Sequence, residues 1–473
     1  MKKLFIIGSL LIPVFHLVAQ NTLTPEQLTE DFALARQSLE EAHPGLYRYN
    51  SKLHVDSLFT ATASGLTKSM TQQEFYRLLL PVIANVKCGH IKLHPDNNWS
   101  DNYFYGRDNL FPLKLFIEEG RAFITDSYDN SQIPTGSEIL IINNMPIRAL
   151  IDSIIPTLFS DGNNNTFKYI ELARYFSAFY ANLFGTPDQF TIQYLNGDEA
   201  KKVTLKAVSL EKIKEYENRQ TGNLEPYYIE YLDNSIAVMT ISSFWMNSDA
   251  SFKKFLKKTF REIKEKGTEN LIIDLRNNEG GQDRRGAQLL SYLMDRNFNY
   301  YDRLEATTDK KYSFHENAQL PRFYGLLRMM ITGTDSGTFL WKHHKNLKVQ
   351  KPARNHYDNK VYVLVNGASF SVTAEFAAVT HFLKRATLIG EETGGGYYGN
   401  NSGTFVIVKL PNSGLNIGIP MLGYYLAVKD YPYPDHGVIP HHVIKPDILD
   451  ILSGNDPVMD YTLNMINTQI AVE

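Results

Sequence analysis

Two stretches hold residue types able to do chemistry at a carbonyl carbon. Residues 271–281, LIIDLRNNEGG, form an apolar run that breaks into a polar turn closed by Gly280 and Gly281. Residues 361–378, VYVLVNGASFSVTAEFAA, form a second apolar run that passes through serines into a helical pattern. Each reads as a buried strand, a turn and an amphipathic helix. Paired glycines let a loop present its backbone N–H groups inward without side chains in the way. A hydroxyl at Ser371 would stand at a helix N-terminus, where free amides favour developing negative charge. A nucleophile and donors for an oxyanion are the two parts that acyl transfer needs. Taken alone, Ser371 or Ser369 could equally be a helix cap, and the two glycines a plain hinge.

The rest of the chain must position these parts. Its 473 residues predict about three domains. A content of 43% hydrophobic and 21% charged residues is that of a globular protein, and a formal net charge of -3 argues against a polyanion partner. Residues 1–20 open with Met1-Lys2-Lys3, continue with an apolar stretch to Val18 and offer Ala19 for cleavage. They read as a secretory signal peptide, too short for a membrane anchor. Cys88 is the one cysteine. Neither an internal disulfide nor a cysteine-rich metal site is then possible, which suits a bacterial periplasm better than an animal secretory route.

Residues 21–107 read as a helical N-terminal domain. Thr24-Pro25-Glu26-Gln27 and Thr71-Gln72-Gln73-Glu74 are both capping boxes that open helices. From about Phe111 the period changes to two. Hairpins are expected around Glu119-Gly120 and Asn196-Gly197, with a strand pair turning at Asn143-Asn144 and a helix over ALIDSII. Residues 108–208 thus make a compact β-rich module with a polar insert at 160–187. Residues 225–452 alternate apolar strands (SIAVMTISSF, NLIIDL, KVYVLV, RATLIG) with helical patterns, as an α/β core with a largely parallel sheet does. A polar stretch at 296–360 without clear period reads as an insertion or lid, and 453–473 as a C-terminal tail.

DLRNNEGG followed by ASFSVTAEF resembles the C-terminal-processing (tail-specific) serine peptidases, a family that includes the tricorn core protease and the interphotoreceptor retinoid-binding proteins. The order of regions is similar, PTGSEILIINNMPI looks like the centre of a PDZ domain, and Gly437-Val438-Ile439-Pro440 resembles the family's closing G-V-x-P. The resemblance implies a multidomain α/β fold with a PDZ-like module and a crotonase-like (ClpP-like) core. It implies that Ser371 is the nucleophile and that amides of Gly280 or Gly281 and of Val372 form the oxyanion hole. Arg276 and Asn278 would brace the glycine loop. Processing proteases take their base from a lysine in T-x-G-K-G. Here Thr393-Gly394-Gly395-Gly396 puts a glycine at that position. The tricorn-like branch uses a histidine before the PDZ module, and Cys88-Gly89-His90 stands there. His90 is therefore the expected base, with an imidazole near its ordinary pKa. The acid to orient it is Asp435, with Asp430 and Glu375 as rivals.

His436, His441 and His442 cluster, but no carboxylate spacing supports a metal site, and no cofactor is expected. The resemblance implies an exported peptidase acting on peptide or unfolded protein ends, without nucleic acid or a stable membrane span. The rival is a binding protein that keeps the fold and has lost the chemistry. An esterase would be expected to carry a G-x-S-x-G elbow, which is absent.

Overall fold

The computed structural model describes residues 22–96, 98–129, 133–220, 225–233, 235–245 and 249–470. The expected leader lies outside them. No helix among the described residues is long and apolar enough to cross a membrane. The architecture is multidomain α/β with three large sheets.

The sheet that carries both chemical segments has six strands. Their order is Tyr227–Tyr231, Ile236–Ile241, Asn270–Asp274, Lys360–Val365, Thr387–Gly390 and His442–Val443. The first pair is antiparallel and the rest are parallel. The strands are apolar on both faces because both are covered. Ala237, Leu271, Ile273, Val363 and Leu388 pack on one side with Phe252, Leu256, Leu290 and Phe376 from the helices. Val238, Ile272, Leu364 and Ile389 face the other side and meet Val458 and Ile466. Those last two belong to helix Pro457–Ile470. The C-terminal segment is thus a packed helix rather than a tail. Arg276 ties it down, donating to both Asp456 oxygens at 2.7 Å while holding Asp274. Arg276 therefore braces the terminal helix rather than the glycine loop.

The second sheet is antiparallel, in the order Ala318–Gln319, Asn401–Lys409, Asn416–Leu426, Tyr301–Ala306, Phe339–Trp341 and Ile331–Gly333, with Lys92–His94 added on Asn416–Gly418. Its central hairpin, Asn401–Lys409 and Asn416–Leu426, has no counterpart in the expected elements, and 296–360 is more than an insertion. Short segments of that stretch supply four of the strands here. The two capping boxes open helices Pro25–Ala42 and Gln72–Ala84 as expected, and an unforeseen helix, Lys52–Ser64, lies between them. Their apolar faces (Leu28, Phe32, Phe75, Leu79) pack with Val406, Ile417 and Ile419 of this sheet.

The third sheet runs Leu113–Glu118, Arg121–Ser127, Glu138–Ile142, Gln189–Asn196 and Glu199–Lys206, all antiparallel. Its turns take positive φ at Glu119 and Gly120, at Asn143 and Asn144, and at Gly197. The stretch 160–187 is not a polar decoration. It contains helix Thr166–Phe184, whose Leu172, Phe176 and Tyr180 fill the core of this sheet.

Arg276→Ala strips two carboxylates of charge-assisted bonds. We expect a loss of about 2 kcal/mol in chemical denaturation. A change under about 0.5 kcal/mol would show that the terminal helix is held by apolar packing alone.

Candidate active site

Strands Asn270–Asp274 and Lys360–Val365 run parallel, with Asp274 beside Leu364, so both loops leave the sheet at the same end. Hydrogen bonds zip the loops together. Leu275 N donates to Leu364 O at 3.0 Å and Phe370 N to Asn278 O at 3.1 Å. Asn277 and Asn366 exchange two bonds of 2.9 and 3.0 Å. Ser369, fully buried, donates to Leu275 O at 2.9 Å and accepts from Asn366 N at 3.0 Å. It holds the loops together and faces no cleft.

Ser371 sits at the N-cap of helix Val372–Phe382 but makes no side-chain cap bond. Its backbone has φ 55° and ψ -125°. That region is costly for a residue with a Cβ, by about 1–3 kcal/mol, and surrounding structure must impose it. Gly280 and Gly395 allow the close packing that does so. A Cβ on Gly280 would lie 2.7 Å from Ser371 Cβ and 2.9 Å from Val372 N. A Cβ on Gly395 would lie 2.6 Å from Ala374 Cβ. The turn has the strained strand-to-helix geometry of a nucleophile elbow without its sequence signature.

His90 reaches this turn from the other end of the chain. The strand Lys92–His94, two residues on, is pinned to Asn416–Gly418. His90 Nε2 lies 3.0 Å from Ser371 Oγ. The imidazole stacks on Phe370 at 4.6 Å between centroids, and Phe370 on Phe167 at 4.8 Å. Gly89 is required by this stack, since a Cβ there would meet Phe370 Cζ at 2.6 Å. Burial pushes the His90 pKa down to about 3, with Lys92 a lesser cause. The imidazole is thus far from its ordinary range and is neutral throughout the physiological range.

The expected acid does not reach His90. Its Nδ1 is buried without a partner among the described residues. The Asp435 carboxylate accepts from Asn163 instead. Asp430 is in solvent beside Lys429. Glu375, also buried, accepts from Tyr301 Oη at 2.7 Å and Asn400 Nδ2 at 2.8 Å, and burial raises it to about 7.

The amides sort themselves by what they already bond. Gly280 N donates to Asn278 Oδ1 at 2.9 Å, while Asn278 Nδ2 donates to Ile241 O at 2.9 Å. Asn278 does brace the loop, and it occupies the Gly280 amide. Among the described residues, no hydrogen bond is recorded for the amides of Gly281 and Val372. A serine hydroxyl bonded to a neutral imidazole, with two free amides in the adjoining turns, can attack a carbonyl and hold the resulting oxyanion.

Gly396 explains the missing lysine. A Cβ there would lie 2.4 Å from Tyr49 Oη and 2.9 Å from Gly399 O. Cys88 is buried, and its thiol is pushed up to about 12 by burial, so it is inert. The three late histidines go to separate partners: His436 to Glu392, His441 to Leu388 N and His442 to Tyr461. The residue that sequence reasoning missed is Asp161, whose buried carboxylate accepts from Gly89 N. No motif marks it, because its partner is a peptide N–H. The cleft in front of Ser371 has a volume of about 940 Å³, with Trp99, Phe167, Trp245, Phe405 and Ile407 on its walls.

Residues 235–449 match the model of peptidase family S41. The fold is similar to that of mature CPAF, at TM-score 0.60 and 15% identity over 90% of this chain and 94% of that one. CPAF complexed with lactacystin gives 0.61 and 14%, covering 94% and 98%. The photosystem II D1 C-terminal processing protease is more distant, at 0.42 and 14% over 92% and 99%. The matched segment belongs to family S41, and the chain is a serine-type peptidase.

Two substitutions separate the serines. Ser369→Ala should cost about 1–3 kcal/mol in thermal or chemical denaturation, because it orphans a buried amide. Ser371→Ala should change stability by less than about 1 kcal/mol, since no cap bond is lost. The reverse order would contradict the hydrogen bonding described. Gly89→Ala should lower turnover by about a hundredfold or more by displacing Phe370 and His90. Wild-type turnover would show that the stack does not set the imidazole.

Proposed function

We propose that the chain is an exported endopeptidase or tail-specific peptidase working through an acyl-enzyme. Ser371 attacks the scissile carbonyl, and His90 takes its proton and returns it to the leaving amine. The Gly281 and Val372 amides hold the oxyanion, and water then releases the acyl group by the same route in reverse. The observation that carries this reading is the 3.0 Å approach of His90 Nε2 to the strained, uncapped Ser371. The low basicity of His90 is offset as charge develops, because imidazolium and oxyanion form together and attract in a site poor in water. No cofactor enters the scheme. The apolar leader at 1–20 is the basis for export to a periplasm or beyond.

The sheet at 113–206 is proposed as a PDZ-like module that receives an extended peptide end. Leu113–Glu118 is its terminal strand, with one neighbour, and an edge of that kind can add a peptide strand. The six-stranded core with its crotonase-like order would then cut what the module holds. Cleavage of one long peptide with a free or an amidated C-terminus tests this. Equal rates, unaffected by disrupting residues 113–117, would leave the module a spacer.

Inactivation by a fluorophosphonate tests the chemistry. The wild type should take one adduct, mapped to Ser371, and His90→Ala should react at least about a hundredfold more slowly. Gly396→Lys should not restore that rate, because Tyr49 fills the space a lysine would need. Labelling at the wild-type rate in His90→Ala would sink the base assignment. No labelling of a folded wild type would favour a protein that binds without cutting.

A further inference from the structure

Asp161 takes no direct part in the serine–histidine contact, yet it joins the segments that create it. Its side chain is 1% exposed. Oδ1 accepts from Gly89 N at 2.8 Å, the peptide group next to His90. Oδ2 accepts from Gly396 N at 3.4 Å, in the loop whose Gly395 packs behind Ser371. The residues after Asp161 secure the same three-way junction. Gly162 N donates to Lys87 O at 3.1 Å, and Asn163 N to Asp435 O at 2.7 Å. Asn164 Nδ2 donates to Thr393 O at 3.0 Å. There is no room to move this turn, since a Cβ on Gly162 would stand 2.2 Å from Asp435 O.

His90 needs such a hold. Its Nδ1 has no partner among the described residues. Stacking on Phe370 sets the plane of the ring but leaves it free to slide within that plane. A base a fraction of an ångström out of place loses much of its rate.

We infer that Asp161 is a positioning residue for the reaction proposed above: by accepting from the Gly89 and Gly396 amides, its carboxylate fixes the backbone of His90 against the Ser371 turn. Through a peptide N–H it fixes the backbone from which the imidazole projects. The inference rests on the Ser371–His90 reading. An ionised carboxylate offers two acceptors, and charge-assisted bonds are about twice as strong as neutral ones. A protonated carboxyl turns one oxygen into a donor, which would face an N–H.

Burial pushes the Asp161 pKa up to about 6, opposed by the Gly89 amide, the Arg48 guanidinium and the Gly396 amide. The ionisable groups around it are Arg48, Tyr49 and Cys88. Tyr49 is raised by burial and Cys88 to about 12, so neither titrates near neutrality. The latch is therefore charged and closed above about pH 6, and opens as pH falls through that value. His90, at about 3, cannot produce a limb there.

The test is kcat and KM from about pH 5 to 8 for the wild type, Asp161→Asn and Asp161→Glu, with melting curves at each pH. The wild type should lose kcat below about pH 6 with KM nearly unchanged and the fold intact. Asp161→Asn should have kcat lowered about tenfold or more at pH 8 and should lack the limb near pH 6, because the amide cannot ionise, which leaves any limb near pH 7 to the buried Glu375. Asp161→Glu keeps a charge and should keep an acid limb at a lower rate. A wild-type kcat in Asp161→Asn, or the same limb at the same midpoint, overturns the inference. Should Asp161→Asn fail to fold, Asp161→Glu decides: loss of the limb with kcat unchanged overturns it. Fluorophosphonate labelling that does not depend on His90 would instead sink the underlying reading, whatever Asp161 does.

Discussion

The site depends on one imposed backbone conformation. Ser371 is held at a φ of 55°, where a residue with a side chain rarely rests, and the neighbouring chain holds it there. The zipper between the Leu275–Gly281 and Asn366–Phe370 loops fixes it from one side. Gly280 and Gly395 approach closely enough to close it from the others. The strain keeps the hydroxyl off its own helix cap and turns it toward His90. A relaxed Ser371 would be free to cap helix Val372–Phe382 instead of facing His90. The buried Asn278 carries much of this arrangement, since it bonds both the Gly280 amide and the Ile241 carbonyl.

The second requirement is to bring His90, toward one end of the chain, to Ser371 near the other. The antiparallel sheet does this. It accepts Lys92–His94 as an added strand, so His90 inherits the position of the hairpin that follows the core strands. Asp161 and its loop then close the junction from the side of the third sheet. An added strand of the second sheet, the Ser371 turn of the first and the Asp161 loop therefore meet at the His90 peptide. The backbone that carries His90 is thereby held with no carboxylate on its ring among the described residues.

Much of this was legible in the sequence where the signal was local. Capping boxes at Thr24 and Thr71 declared their helices, and glycine- and asparagine-bearing turns declared the hairpins of the third sheet. Apolar runs without alternation declared a sheet buried on both faces. What the sequence concealed were contacts between distant segments. The hairpin Asn401–Lys409 and Asn416–Leu426 lies among glycines and short polar breaks that hide its period, and 296–360 supplies strands too short to show one. Asp435 is the expected orienting acid because it lies close to where the tricorn-like branch places one, yet its carboxylate goes to Asn163. The Gly280 amide looked free and is bonded to Asn278. Asp161 was invisible because a carboxylate that accepts from peptide groups needs no partner residue type. His90 departs from its ordinary pKa for the same kind of reason, since desolvation is a property of the packed site.

The central claim is that Ser371 becomes acylated in turnover with His90 as its base. The most direct measurement is the pre-steady-state time course with an activated ester, followed by intact mass and peptide mapping of the quenched enzyme. The account predicts a burst of about one leaving group per chain, with the acyl group on the peptide containing Ser371 and no burst in His90→Ala. A folded wild type that turns over with no burst and no adduct at rapid quench, or an adduct on another residue, would contradict it.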